Sequence, residues 1–385
     1  MKSKNYFFLF FLAGFFLLAG CHSSQKPPET QTRPVPIIYS SDLFHPPDDP
    51  DDHYDFAMLF SLQEIEIKAM IFDVASPGRN PEQFGKPALD QMVKITGRSL
   101  PPWKIGLRYP LRSPDDKALD QPEEFQGGVE LIISTLEKSE EPVVMFLVGS
   151  CRDFAVAFNR NPDLLREKVK AVYVNAGNGL KGIQTEWNVS LDPYAYVGLM
   201  FSGLPTYWCP CFTDVYQLSS SNDVSAGKAF NTYFVVPNQA ELLIFTSAIV
   251  KNFFVYALNA SQEEPLSFLD KEQQALPETP RNMWCTGPFL HAAGREIHRT
   301  QDGRWIACTP EQVKSLGIEG SAIEVFRFDP ISIQYTMKEE NGKLIPEFYA
   351  VDYAESSSSI QVFRYIHPDF NIIMPAILAN LLETL

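Results

Sequence analysis

Past residue 35 the chain alternates short, β-branched apolar runs with longer stretches whose apolar positions recur every three or four residues. Runs of the first kind predict strands at 36–39, 67–74, 143–148, 169–174 and 206–208. Patterns of the second kind predict helices at 52–63, 87–96, 127–137, 152–159 and 240–258. Strand and helix following one another in this way imply an α/β fold with a mainly parallel sheet flanked by helices, because parallel neighbours need a crossover between them. The C-terminal part is β-rich, at 305–308, 323–328 and 360–365, before a last apolar helix at 369–382. No linker divides the two parts, so residues 36–385 are expected to form one domain.

The N-terminus follows another pattern. Lys2 and Lys4 precede an apolar run over 6–18, too short for an ordinary spanning helix and suited to a secretory signal, so residues 1–20 are read as a signal peptide. Leu18-Ala19-Gly20-Cys21 resembles a bacterial lipobox. That resemblance implies cleavage before Cys21, lipidation of Cys21 and a lipid anchor in the cell envelope, periplasmic or on the outer surface. Residues 21–35, rich in Ser, Gln, Thr and Pro, then read as a flexible tether.

Composition narrows the functions open to such a chain. With 45% hydrophobic and 21% charged residues over 385 positions it can bury a large core. Its 47 acidic against 32 basic residues give a net charge of −15, and loss of Lys2 and Lys4 with the signal takes it to −17. A field of that sign repels phosphate backbones, which excludes nucleic-acid binding and favours cations. Besides Cys21 there are Cys151, Cys209, Cys211, Cys285 and Cys308, an odd set that leaves at least one thiol unpaired. None is spaced as a zinc finger, so the expectation is buried apolar thiols, with room for one disulfide.

In parallel sheets ligands sit beyond the carboxyl ends of the strands. After the first predicted strand come Asp42, Asp48, Asp49, Asp51, Asp52 and Asp55, six aspartates in fourteen residues. Capping the following helix needs one or two carboxylates. Six crowd together at a cost that protons or a hard cation relieve, which points to a divalent metal. His45 and His53 permit a transition metal, yet carboxylate dominance favours calcium or magnesium.

The run Asp51-Asp52, an apolar helix, then Glu64 to Ile71 resembles the N-terminal signature of the inosine–uridine-preferring nucleoside hydrolases, D-x-D-P-G-x-D-D followed by helix and strand. Residues 142–148 with Gly149 resemble that family's third conserved strand and turn, and 152–175 the helix and strand after it. Glu186-Trp187-Asn188-Val189-Ser190-Leu191-Asp192-Pro193 is similar to its sugar-binding element E-F-N-x-x-x-D-P. The blocks keep their order from residue 36 to the C-terminus.

This resemblance implies a nucleoside-hydrolase-like fold and cleavage of the N-glycosidic bond of ribonucleosides or related N-ribosides, with bound calcium. Asp42, Asp52 and the backbone carbonyl of Val148 would coordinate the ion, with Asp48 and Asp49 as further candidates. Asp51, Glu186 and Asn188 would bind sugar hydroxyls. Asp42 would take the proton of the attacking water, and His291 would assist departure of the base. The chain departs from the family pattern at Ser40, at Ser76, and at His291-Ala292, where the family's H-D pair supplies a calcium ligand. A non-catalytic lipoprotein that binds sugars or nucleosides through a degraded metal site is therefore the other reading, and whether the chain self-associates stays open. Gly177-Asn178-Gly179-Leu180-Lys181-Gly182 matches G-x-G-x-x-G, yet 183–192 reads as irregular where a dinucleotide fold needs a helix, so it is read as a mobile loop. No G-x-S-x-G elbow occurs, which leaves acyl transfer without a nucleophile.

Overall fold

The computed structural model describes residues 33–43, 50–76, 78–178, 186–212, 230–340, 343–352 and 359–385. The expected signal peptide, Cys21 and most of the tether lie outside the described residues. So do His45, Asp48, Asp49 and the Gly179–Gly182 part of the glycine-rich loop.

Strand β1 (Val35–Ser41) is buried at every position but the first, as a central parallel strand covered on both faces must be. Its side chains alternate between two cores. Ile37 and Tyr39 join a layer with Phe56, Phe289 and Ile377, and Ile38 joins one with Ile132, Phe154 and Tyr196. The sheet continues with β2 (Ile65–Phe72), β3 (Trp103–Ile105), β4 (Val143–Val148), β5 (Val169–Asn175) and β6 (Thr206–Cys209). Across it the eight strands run in the order Phe326–Pro330, Ile360–Tyr365, β6, β5, β4, β1, β2, β3. Only the outermost strand, Phe326–Pro330, is antiparallel to its neighbour. The mainly parallel α/β fold expected from the alternating pattern is the one observed. Two of the C-terminal β segments complete the main sheet, and Trp305–Cys308 pairs separately with Glu296–Arg299.

The helices between these strands are α1 (Asp51–Ser61), α2 (Glu82–Thr96), α3 (Gly127–Lys138), α4 (Arg152–Arg160), α5 (Pro162–Lys168), α6 (Trp187–Leu191) and α7 (Pro193–Met200). Three differ from the sequence reading. Helix α2 starts five residues before Pro87, which lies inside it. The long helix expected over 240–258 is broken into Gln239–Leu242 and Ala248–Leu258, the second capped by Ser247 Oγ accepting from Val250 N. Between them Ile244 and Phe245 are exposed. In the stretch expected to be irregular, Glu186 and Asp192 cap the short helices α6 and α7 in succession.

The strand order reverses between β1 and β4, which lie side by side with Ser41 opposite Val148. Connections leave these two strands in opposite directions, so a crevice opens beyond their carboxyl ends. The aspartate-rich segment begins there.

Candidate active site

A cavity of about 320 Å³ fills that crevice, lined by Asp42, Asp51, Asp52, Val148, Asn175, Glu186, Trp187, Asn188, Cys211, Phe212, Trp284 and Cys285. Its size falls in the range of small-molecule sites. Of the residues singled out in the sequence, Asp42, Asp51, Asp52, Val148, Glu186 and Asn188 come together here from four separate segments.

The carboxylates occupy one wall. Asp42 follows β1 directly and is buried, as is Asp52 in the first turn of α1. Ser41 Oγ donates to Asp52 Oδ2 at 2.9 Å. Burial pushes the Asp52 carboxyl well above the usual range, and the nearby charges of Asp42, Asp51 and Asp55 push it further. Asp55 is the member that sequence reasoning left without a role. It lies three and four residues beyond Asp52 and Asp51, hence on the same helical face, and that spacing was a signal for it. Carboxylate oxygens of Asp51, Asp52 and Asp55 all lie within 4.8 Å of one another. Beneath them Tyr39 Oη is fully buried with no partner at hydrogen-bond geometry, its polar surroundings being Ser41, Asp52 and Asp55. A crowd of acids around a buried hydroxyl oxygen is a fitting set of donors for a divalent cation, whose charge would offset their repulsion.

Val148 enters from the end of β4. The turn after it passes so close to Asp73 that a Cβ on Gly149 would collide with that carboxylate. Asp73 holds the turn by accepting from Ser150 N and, at 2.7 Å, from Ser150 Oγ. Ser76, where the resemblance expects an Asn, is exposed and outside the cavity lining.

The opposite wall is the start of α6. Glu186 is buried, and its carboxylate accepts from Gly177 N at 2.8 Å, Asn188 N at 2.9 Å and Val189 N at 3.0 Å. Burial raises its pKa and these amides draw it back down. Asn188 Nδ2 donates to the Asn175 carbonyl at 2.8 Å, and Trp187 stands half-exposed at the rim. Asn175 Nδ2 in turn donates to Cys211 Sγ at 3.3 Å. The whole wall is seated by Arg152, a buried guanidinium that donates to Asp192 Oδ2 at 2.8 Å, to the Leu191 carbonyl at 3.1 Å and to the Leu107 carbonyl at 2.8 Å.

The third wall differs from the sequence reading. His291 and Ala292 do not line the cavity. His291 is exposed near the far end of the helix Thr286–Ala292, its Nδ1 2.6 Å from Tyr173 Oη and its ring packed on Tyr207 and Phe328. Six helical residues advance about 9 Å, so the residues that face the acids from this segment are those at its start, Trp284 and Cys285. Trp284 Nε1 donates to the Cys211 carbonyl at 3.0 Å, and its ring meets Phe212 edge-on. Cys285 is buried against Asp55; burial and the charges of Asp55, Asp52 and Asp51 push its thiol well above the usual range. All five described cysteines are free and buried, so the disulfide for which the sequence left room is absent among them. Nothing in the sequence marked Cys211 and Cys285 as cavity residues, since they reach it from parts of the chain with no aspartate pattern.

No family model matches the chain. Among curated proteins, the pyrimidine-specific ribonucleoside hydrolase RihA of Enterobacter sp. (strain 638) is 26% identical over 189 residues, covering 44% of this chain and 58% of that protein. RihA of Citrobacter koseri is 25% identical over the same shares. The chain therefore spans 58% of the length of these curated relatives. Among solved structures, an inosine-uridine preferring nucleoside hydrolase from Bacillus anthracis aligns at 12% identity and a TM-score of 0.49, over 91% of this chain and 100% of that one. A purine-preferring ribonucleoside hydrolase from Gardnerella vaginalis aligns at 14% identity and a TM-score of 0.49, over 90% and 99%. The chain is thus an α/β protein that is similar, over part of its length, to the RihA ribonucleoside hydrolases.

Proposed function

We propose that the protein hydrolyses the N-glycosidic bond of ribonucleosides or related N-ribosides, with a divalent cation in the acidic wall. The observation that carries this reading is the convergence of Asp42, Asp51, Asp52, Val148, Glu186 and Asn188 on one cavity at the switch point of the sheet. The similarity to ribonucleoside hydrolases supports the substrate class.

Asp51, Asp52, Asp42 and the Val148 carbonyl would hold the cation, which when bound supplies charge to orient a water and the sugar diol. Asp42 then accepts the proton of the attacking water. Asp51 accepts a hydrogen bond from a sugar hydroxyl, and Asn188, whose amide nitrogen is committed to Asn175, offers its carbonyl oxygen to another. As the bond to the base lengthens, the sugar gains positive charge that the surrounding carboxylates stabilise. The three-amide cradle of Glu186 fixes that carboxylate in place before substrate arrives. Trp187, Trp284 and Phe212 provide flat apolar surface for the base, with Trp187 covering it from the rim. His291 has no part in this scheme. Calcium is the ion that carboxylate dominance favours.

We also propose that the chain is a lipoprotein anchored through Cys21 in a bacterial envelope membrane, a reading supported by the lipobox-like sequence.

Ribose release by the purified full-length chain over a panel of purine and pyrimidine ribonucleosides, with divalent cation and with chelator, tests the hydrolase reading. Release that chelator abolishes and Asp42→Asn lowers by roughly 100-fold or more is expected. Nucleoside binding without release, with or without cation, would establish the non-catalytic reading instead.

A further inference from the structure

Asp73 does not line the cavity, yet it joins the two strand ends from which the cavity opens. It directly follows β2, whose last residue Phe72 lies opposite Ser41, and Ser41 lies opposite Val148 on the other side. Its backbone N donates to the carbonyl of Ser41, the residue before Asp42, at 2.9 Å. Its carboxylate extends beyond the end of β1 to the turn after Val148, where Oδ2 accepts from Ser150 N and Oδ1 accepts from Ser150 Oγ at 2.7 Å. Ser41 Oγ donates to Asp52 at 2.9 Å, so the same residue is linked through Ser41 to the first turn of α1. Three segments that bring oxygens to the acidic side of the cavity therefore meet at Asp73.

The turn it holds is strained. Cys151 has φ 60°, in the left-handed region that a non-glycine residue keeps only where its surroundings impose it. What imposes it here is the pair of bonds from Ser150 to Asp73, together with Arg152 N donating to Ser150 Oγ at 3.3 Å and Arg152 Nη1 donating to the Val74 carbonyl at 3.1 Å. For folding alone a buried carboxylate is a costly choice, because an apolar side chain in its place needs no charge taken out of water. Asp73 is 1% exposed. What the carboxylate adds is acceptors enough for Ser150 N, Ser150 Oγ and Val74 N at once, which fixes the turn in place as well as tethering it. Resting on the reading of the cavity as a cation-assisted hydrolase site, we infer that Asp73 is its positioning residue: it sets the Val148 carbonyl against Asp42 across the crevice, and so determines how tightly a divalent cation is held there.

The test uses the full-length chain, stripped with chelator and titrated calorimetrically with calcium, beside thermal unfolding of the same cation-free samples. Asp73→Ala should weaken calcium binding by roughly 10- to 100-fold, the loss typical when a group that orients a ligand is removed. Asp73→Asn can offer Oδ1 to Ser150 N and donate from Nδ2 to Ser150 Oγ, so it should recover most of that loss although it carries no charge. A role in folding alone would lower the melting temperature of Asp73→Ala and leave its calcium affinity where it was. Unchanged affinity in Asp73→Ala, whatever its melting temperature, therefore overturns the inference. Asp73→Asn binding as weakly as Asp73→Ala also overturns it, because the missing charge and not the placement would then be the cause. Should Asp73→Ala fail to fold, Ser150→Ala decides in its place: it removes only the Oγ bond and should weaken calcium binding by roughly threefold to tenfold, and no weakening overturns the inference. Ribose release separates this claim from the hydrolase reading. Release by the unaltered chain, with calcium affinity indifferent to Asp73→Ala, leaves the hydrolase reading standing without this inference. Calcium affinity that falls in Asp73→Ala, with no release from any nucleoside by the unaltered chain, does the reverse. No calcium binding by the unaltered chain overturns the inference outright.

Discussion

Buried carboxylates in this protein divide into those that face the cavity and those that hold its frame, and their neighbours tell them apart. Asp153 belongs to the frame. It is packed where Gly106 and Gly128 leave no room for a Cβ, and it accepts the Leu107 amide at 3.1 and 3.2 Å. Burial, then the charge of Asp73, pushes its carboxyl up to about 7. An unfolded Asp titrates near 3.9, so between about 4 and 7 the unfolded chain has lost a proton that the fold retains. Folding stability therefore falls as pH rises through that window and is level above it, by up to about 4 kcal/mol from this one group. Asp153→Asn keeps an oxygen for Leu107 and cannot ionise. Urea unfolding at pH 4.5 and 7.5 should show the variant gaining on the natural chain at the higher pH; an equal difference at both would place the proton elsewhere. At this scale the sequence was informative where residues were close in the chain. Asp42, Asp51 and Asp52 could be read from one short run, and Asp55 was within reach through helical spacing. Cys285 was not, because its place in the cavity wall beside Trp284 exists only once strand and helix have packed.

The elements that carry the site are short, and they are held by caps and one buried ion pair. Helices α6 and α7 have five and eight residues, too few to be stable alone. Glu186 satisfies the free amides of the first and Asp192 those of the second. Asp192 also accepts from Leu111 N at 2.9 Å and pairs with Arg152, so a single carboxylate ties α7, α4 and the segment after β3 together. Replacing it by Ala leaves the Arg152 guanidinium buried without its counter-charge, which costs about 3–5 kcal/mol. Asp192→Ala should lower the urea midpoint accordingly, and Asp192→Asn should recover part of the loss through the amide contacts. A change within a few tenths of a kcal/mol would mean that Arg152 finds another partner. Strand positions were legible because apolar runs are dictated by burial on both faces, and β4 lies where its pattern placed it. The breaks were less so. The helix expected over 240–258 carries an unbroken apolar pattern, and the turn at Ile244–Thr246 is imposed by tertiary packing and the Ser247 cap. The Glu186–Asp192 stretch looked irregular because its helices rest on side-chain caps in place of periodicity.

For the molecule as a whole, the sheet gives the two ends of β1 different tasks. Its carboxyl end opens into the cavity through Asp42, and its amino end, at Val35, receives the chain coming from the N-terminus. The parallel order could be read from alternating elements, but the reversal between β1 and β4 that makes the crevice could not, since local patterns do not say which strands become neighbours. If Cys21 carries lipid, thirteen residues separate it from Val35. The cavity lining belongs wholly to residues from Asp42 onward, so no described residue before β1 takes part in it. Lipidation should therefore set where the protein resides without altering its chemistry. Cys21→Ser should prevent acyl labelling and move the protein from the membrane to the soluble fraction, and the melting temperature and the kcat/KM for ribose release should stay within about twofold of the natural chain. Continued membrane association of that variant would remove the lipoprotein proposal. A soluble variant with impaired turnover would retain the anchor and show instead that the N-terminal segment contributes to the site.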